Sequence, residues 1–132
     1  MNTTRKGNVA EGRVLSALLD AGFDVLIPFG GGLGYDCAYD DGLTIRRVQV
    51  KTGKLSKGVI LFNTASVTRS GERVGYTGRA EEFGVFCAET DSVYLVPVET
   101  FSVHGGWLRV AATKNNQSSG IHWATDYEIR SK

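Results

Sequence analysis

The chain is poor in cysteine, histidine, proline and net charge: two of each of those residues and a formal charge of +1 in 132 residues. His104 and His122, with the distant Cys37 and Cys87, offer no tetrahedral zinc spacing. Both cysteines lie in apolar, strand-like contexts, so the expected setting is reduced and cytoplasmic rather than disulfide-stapled. No apolar run is long enough to cross a bilayer, and the first seven residues lack the apolar stretch of a signal peptide. The Asn-X-Ser/Thr triplets at Asn2 and Asn116 therefore carry no weight. A nucleophile-elbow serine and a Walker lysine are missing as well. What remains is ordinary globular composition, expected to form one domain over residues 1–132.

The small net charge hides an uneven distribution. Residues 44–79 carry eight basic side chains (Arg46, Arg47, Lys51, Lys54, Lys57, Arg69, Arg73 and Arg79) against one acid, Glu72. Residues 80–132 reverse the balance, four basic against seven acidic. A basic middle is the footprint of a polyanion partner, although lysines and arginines also solvate loops.

Asn8 reads as an N-cap and Gly22 as the C′ glycine of a helix over 9–21, with Ala10, Val14, Ala17, Leu18 and Ala21 as its buried stripe. Glu11 falls at the edge of that stripe. Three residues past the cap it would complete a capping box; beside a polar site it would be a functional carboxylate. Phe23, Val25, Ile27 and Phe29 alternate as a half-buried strand. Gly30-Gly31-Gly32-Leu33-Gly34 fails the dinucleotide fingerprint, because Tyr35 replaces the last glycine and a strand follows; it reads as a linker, either merely flexible or admitting a bulky ligand. A basic loop over 52–58 and a strand over 59–64 come next. Residues 66–78 form a polar stretch in which Arg69, Arg73 and Tyr76 suit phosphate contact and base stacking, or simply an exposed loop. Strands over 83–88 and 93–98 form a hairpin, Pro97 marking an edge. A short strand over 107–111 and a last element with Trp123 and Tyr127 at helical spacing close the chain.

The most informative stretch is 35–51. Asp41-Gly42 between strand-like runs signals a two-residue hairpin turn. With those two residues in the turn, Asp36 lies opposite Arg47, and Arg47, Gln49 and Lys51 emerge on its face of the sheet. Gln49 becomes a diagonal neighbour of Asp36, roughly 7–8 Å away backbone to backbone. An acid, an amide oxygen and an ammonium gathered there can hold a hard cation and stabilise charge on a phosphate.

These residues resemble a known group. Lys6-Gly7 before a helix bearing Glu11, then Tyr35-Asp36, then Gln49-Val50-Lys51-Thr52-Gly53, is similar to the PD-(D/E)xK nuclease superfamily, more narrowly to its small bacterial and archaeal branch that includes group I intron homing endonucleases. The first half is also similar to archaeal Holliday junction resolvases. The resemblance implies an α/β fold, an α+β mixed sheet with a restriction-endonuclease-like core and the N-terminal helix packed on it. It implies a catalytic set of Glu11, Asp36, Gln49 and Lys51, with Mg²⁺ (Mn²⁺ substituting) held by Asp36, Gln49, the Val50 carbonyl and Glu11. The implied activity is an endodeoxyribonuclease acting on duplex DNA as a homodimer or homotetramer, gripping it through Arg5, Lys6, Lys54, Lys57, Arg69, Arg73, Tyr76 and Arg79. Two positions depart from the wider pattern. Tyr35 replaces a proline that does no chemistry, and Gln49 replaces the second acid, so the cation site carries less charge. The alternatives are a Holliday junction resolvase and a DNA-binding module whose site has decayed.

Overall fold

The computed structural model describes residues 2–112 and 119–129; Asn116 lies outside them. Helix α1 (Thr3–Asp20) starts six residues earlier than the sequence suggests, because Asn2 rather than Asn8 caps it, its side chain accepting from the Arg5 amide at 2.8 Å. Gly7 sits inside the helix. The C-terminal end matches expectation: Gly22 adopts a left-handed φ of 96°, and the Gly22 and Phe23 amides close back on the Leu19 and Leu18 carbonyls in a Schellman motif. Ala10, Val14 and Leu18 are fully buried. Burying each of the two larger side chains contributes roughly 1.5–3 kcal/mol relative to exposure.

Strands β1 (Asp24–Leu26), β2 (Cys37–Asp40), β3 (Ile45–Ser56), β4 (Val59–Phe62), β5 (Ser66–Val67), β6 (Arg73–Val74), β7 (Glu82–Cys87), β8 (Ser92–Pro97) and β9 (Gly106–Arg109) follow, then a 3-10 turn (Ala124–Asp126). β1 stops short of the expected strand: Ile27 is exposed, and Phe29 wholly so. The expected basic loop over 52–58 is mostly strand, since β3 runs to Ser56 and only Lys57-Gly58, both at positive φ, make the turn. β5 and β6 pair only with each other. The last short element is a 3-10 turn, flanked by isolated bridges from Glu128 to Tyr94 and from Trp123 to Arg109.

The main sheet runs β1-β2-β3-β4-β9, with β7 parallel to β3 and β8 antiparallel to β7 at the edge. A mixed sheet with the N-terminal helix packed against it is the expected class. Each face of β3 and β7 carries its own core. Val48, Phe86 and Val93 pack with Cys37 and the α1 stripe. Phe83 and Val85 face the other way, onto Ile60, Leu108, Tyr76 and Ala124. Gly53 lets Ile60 of β4 and Val85 of β7 pack directly on the β3 backbone: a Cβ there would sit 2.7 Å from Ile60 Cγ2 and 2.9 Å from Val85 Cγ1.

Candidate active site

The antiparallel partners of β3 leave a gap. β2 pairs with residues 45–48 and β4 with 54–56, so residues 49–53 pair with β7 alone. Glu11, Asp36, Gln49 and Val50 gather at that gap.

The hairpin turns at Gly42-Leu43, one residue later than expected. The Asp41 amide bonds the Thr44 carbonyl at 3.1 Å, and Gly42 takes the left-handed φ of 93°. The carboxylates explain the shift: Asp40 accepts from the Gly42 amide, and Asp41 accepts from the Thr44 and Leu43 amides, which hold its pKa below the usual carboxylate range. Arg47 therefore faces Ala38, not Asp36, and its guanidinium is taken by Glu81 at 2.6 Å. Continued regularly, the new register would set Asp36 opposite Gln49. A bulge intervenes: the Asp36 amide bonds the Val48 carbonyl at 2.8 Å, although Cys37 already faces Val48. Bulges re-aim side chains. The Asp36 carboxylate swings to the open edge of β3 and accepts from the Val50 amide at 2.8 Å. Instead of sharing a face with Gln49 and Lys51, Asp36 meets Gln49 at the strand's edge. The N–H and C=O of one strand residue project from the same side, so the Val50 carbonyl points into the gap too.

Glu11 comes in from α1. In the third turn, far from Asn2, it caps nothing, which removes the capping-box alternative. Glu11, Asp36, Gln49 and Val50 line one cleft of about 340 Å³ with Thr3, Thr4, Gly7, Asn8 and Thr52. Thr3 and Thr4 are not singled out by the sequence reading, and Gly7 and Asn8 are placed there before the helix; the Asn2 cap, which turns all four into helix, is the signal that would have found them. Burial first, then the Asp36 charge, raises the Glu11 pKa above 4.5. Burial and the same two carboxylates push the Cys37 thiol up to about 12, so it stays protonated and inert. Among the described residues neither Glu11 nor Asp36 forms an ion pair, and no three His, Cys, Asp or Glu side chains cluster to hold a metal. Two unpaired carboxylates, an amide and a main-chain carbonyl make a hard-oxygen donor set that suits Mg²⁺ or Mn²⁺ and no soft metal.

The Glu11 shift has a testable consequence. A raised folded-state pKa means a stabilising contribution complete below 4.5 and lost as pH rises through the folded value. At pH 7 the ionised Glu11 thus weakens the apo fold. Glu11→Gln should melt at a higher temperature than wild type at pH 7, with the difference closing below pH 4.5, as followed by circular dichroism.

Lys51 stands apart. Its ammonium donates to the Tyr76 hydroxyl at 3.1 Å and lies 4.7 Å from that ring's centroid; it does not line the cleft, and no acid pairs with it among the described residues. Tyr76 is only 6% exposed, so it has no free face for a base, contrary to the stacking role suggested by the sequence. Arg79 and Arg73 are anchored on main-chain carbonyls of Gly75 and Val103. Arg46 pairs with Asp41. Arg5, Lys6, Lys54, Lys57 and Arg69 are exposed and, among the described residues, enter no ion pair. Lys6 and Lys54 line a groove of about 410 Å³ that shares Thr52 with the cleft. On the other side, Glu11 and Asp36 also line a hollow against Ile27, Pro28, Tyr35 and the glycine-rich loop. The three lie side by side, sharing Thr52 on one side and Glu11 and Asp36 on the other.

The family described as PD-(D/E)XK endonuclease matches residues 1–130. The solved structure of the bacterial homing endonuclease I-Ssp6803I is similar, with a TM-score of 0.73 and 25% identity over 97% of this chain and 89% of that one. No curated protein matches the chain.

Proposed function

The chain belongs to the PD-(D/E)XK endonuclease family, and from that premise we propose that it is a metal-dependent, homing-endonuclease-like enzyme hydrolysing phosphodiester bonds in duplex DNA. The observation that carries this reading is the meeting of Glu11, Asp36, Gln49 and Val50 at the gap in β3, two of them carboxylates with no ion-pair partner among the described residues.

Asp36, the Gln49 amide oxygen and the Val50 carbonyl would hold Mg²⁺, with Glu11 as a further ligand or as acceptor for its bound water. A bound Mg²⁺ would polarise the phosphate and lower the pKa of water. The chain's own work is then positional. The Val50 amide fixes the Asp36 carboxylate at 2.8 Å, so one oxygen is committed and the other is presented to the cleft. Lys51 follows Gln49 on the same face of β3, roughly 6.6–6.8 Å along the strand. Its ammonium would orient the attacking water and offset the charge that builds on the nonbridging oxygens.

The groove beside the cleft, lined by Lys6 and Lys54, would take the polyanion. Arg5, Lys57 and Arg69 extend the basic surface, and Arg73 and Arg79 act within the fold. Removing Lys6 or Lys54 should lower the slope of log K against log salt by about 1 each, since each neutralised phosphate contributes about 0.9. Gel-shift titrations between low and high salt measure it.

Exposed Leu26, Ile27, Leu43, Ile45 and Phe29 around β1 and the β2–β3 hairpin suit self-association into the homodimer or homotetramer that a target longer than one small subunit demands. The buried, unpaired thiols fit a reducing, cytoplasmic setting. The deciding experiment is supercoiled plasmid with and without Mg²⁺, beside a linear duplex and a four-way junction at equal concentration. Mg²⁺-dependent nicking of duplex supports the proposal. Cleavage confined to the junction makes the chain a resolvase, and Mg²⁺-insensitive binding without cleavage makes it a decayed binding module.

A further inference from the structure

We propose that Tyr76 is a positioning residue for Lys51, a role that rests on the nuclease reading and deepens it. Four contacts make Tyr76 a fixed post. Its ring is buried edge-on against Phe83, centroids 5.5 Å apart at 87°. Its carbonyl accepts from both the Arg79 and Ala80 amides, at 2.8 and 3.0 Å. The Arg79 guanidinium lies 4.4 Å from the ring centroid and is itself held by the Gly75 carbonyl at 2.7 Å and the Ser66 hydroxyl at 3.0 Å. The remaining contact is Lys51, bonded at the hydroxyl and resting by the ring.

A lysine has four side-chain torsions, and holding its ammonium in one place costs conformational entropy. Carboxylates usually meet that cost through an ion pair, but a carboxylate on Lys51 would cancel the charge the reaction needs. A phenol and its ring orient the ammonium while leaving its full positive charge. The post is also tied to the acid side of the site. Arg79 packs so tightly beneath Gly34 that a Cβ there would lie 2.5 Å from Arg79 Cβ, and Gly34 leads through Tyr35 to Asp36. Tyr76 and Arg79 thus set the spacing between the strand that carries the Lys51 ammonium and the bulge that carries the Asp36 carboxylate.

The test is Tyr76→Phe, which keeps the ring and its packing and deletes the hydroxyl, assayed on supercoiled plasmid with Mg²⁺ alone and in a Lys51→Ala background. The expected result is a kcat about tenfold lower with KM unchanged, the equivalent of one hydrogen bond to a charged group, and no further loss where Lys51 is already absent. An equal loss in both backgrounds, or none in the single variant, overturns the proposal. An activity-independent arm separates its failure from that of the nuclease reading. In the NMR spectrum the Lys51 ε-methylene, identified by its disappearance in Lys51→Ala, should be ring-current shifted in wild type and return to an ordinary position in Tyr76→Leu. An unshifted Lys51 in wild type refutes the contact. A shifted Lys51 in a protein that cuts no DNA refutes the enzymatic reading and reduces Tyr76 to a structural partner.

Discussion

Asp36→Asn is expected to lower plasmid nicking by about a thousandfold or more, the several kcal/mol that charge stabilisation at a phosphate supplies. Its thermal midpoint should stay at or slightly above that of wild type. The two outcomes separate because Asp36 does two things. Its carboxylate accepts from the Val50 amide, and an asparagine Oδ1 of the same shape accepts that hydrogen bond equally well. Its charge, in contrast, is uncompensated among the described residues and raises the Glu11 pKa, so neutralising it relieves a repulsion in the apo protein. Mg²⁺ should raise the melting temperature of wild type by mass action and leave Asp36→Asn unmoved. A destabilised variant that still nicks would make Asp36 a structural bulge residue and end the site assignment.

The bulge is also where sequence reading stops. The Asp-Gly signal located the hairpin, and alternation placed Val48 in a core, because both depend on neighbours within a few residues. The turn slipped by one residue since paired aspartates bond the turn amides better from positions 40 and 41. Two-residue turns preserve parity, so the slip alone would have changed only the partner, from Arg47 to Gln49. The extra residue at Asp36 changes the geometry itself, and no residue type announces it: the Asp36 amide finds the Val48 carbonyl only once β2 is docked.

At the helix, Gly22 marked the end faithfully because its left-handed backbone is a local demand. Asn8 misleads as a cap: it lies inside α1, as does Gly7, although a glycine inside a helix costs about 1 kcal/mol. Here the docked face of α1 outweighs that cost. Tyr76 was read as a base-stacking residue from its polar, arginine-rich neighbourhood. Its burial depends on Phe83 and on β3, contacts that local sequence does not encode. The same holds for β4 and β9, which pair across more than forty residues, and for the arginines that turned inward to carbonyls. Segments whose neighbours are near in sequence were legible; partners chosen by tertiary closure were not.

Lys51→Ala should cost about a hundredfold to a thousandfold in nicking, the range for deleting one preorganised charge donor at a developing oxyanion. Its signature should differ from that of Asp36→Asn. Since the Lys51 ammonium rests on Tyr76 and does not line the carboxylate cleft, its removal should leave the Mg²⁺-induced rise in melting temperature intact. Binding of duplex should weaken only slightly, because one cation among several contributes a small share of phosphate affinity. Lys51→Arg should recover little: the planar guanidinium cannot take up the ammonium's place against both the Tyr76 hydroxyl and its ring while presenting a point charge to a phosphate. Metal binding retained, DNA binding retained and chemistry lost would isolate the ammonium as the group that acts on the transition state. Nicking that persists undiminished in Lys51→Ala would show that the cleft works without it, and the division of labour between the cleft and the ammonium on Tyr76 would have to be redrawn.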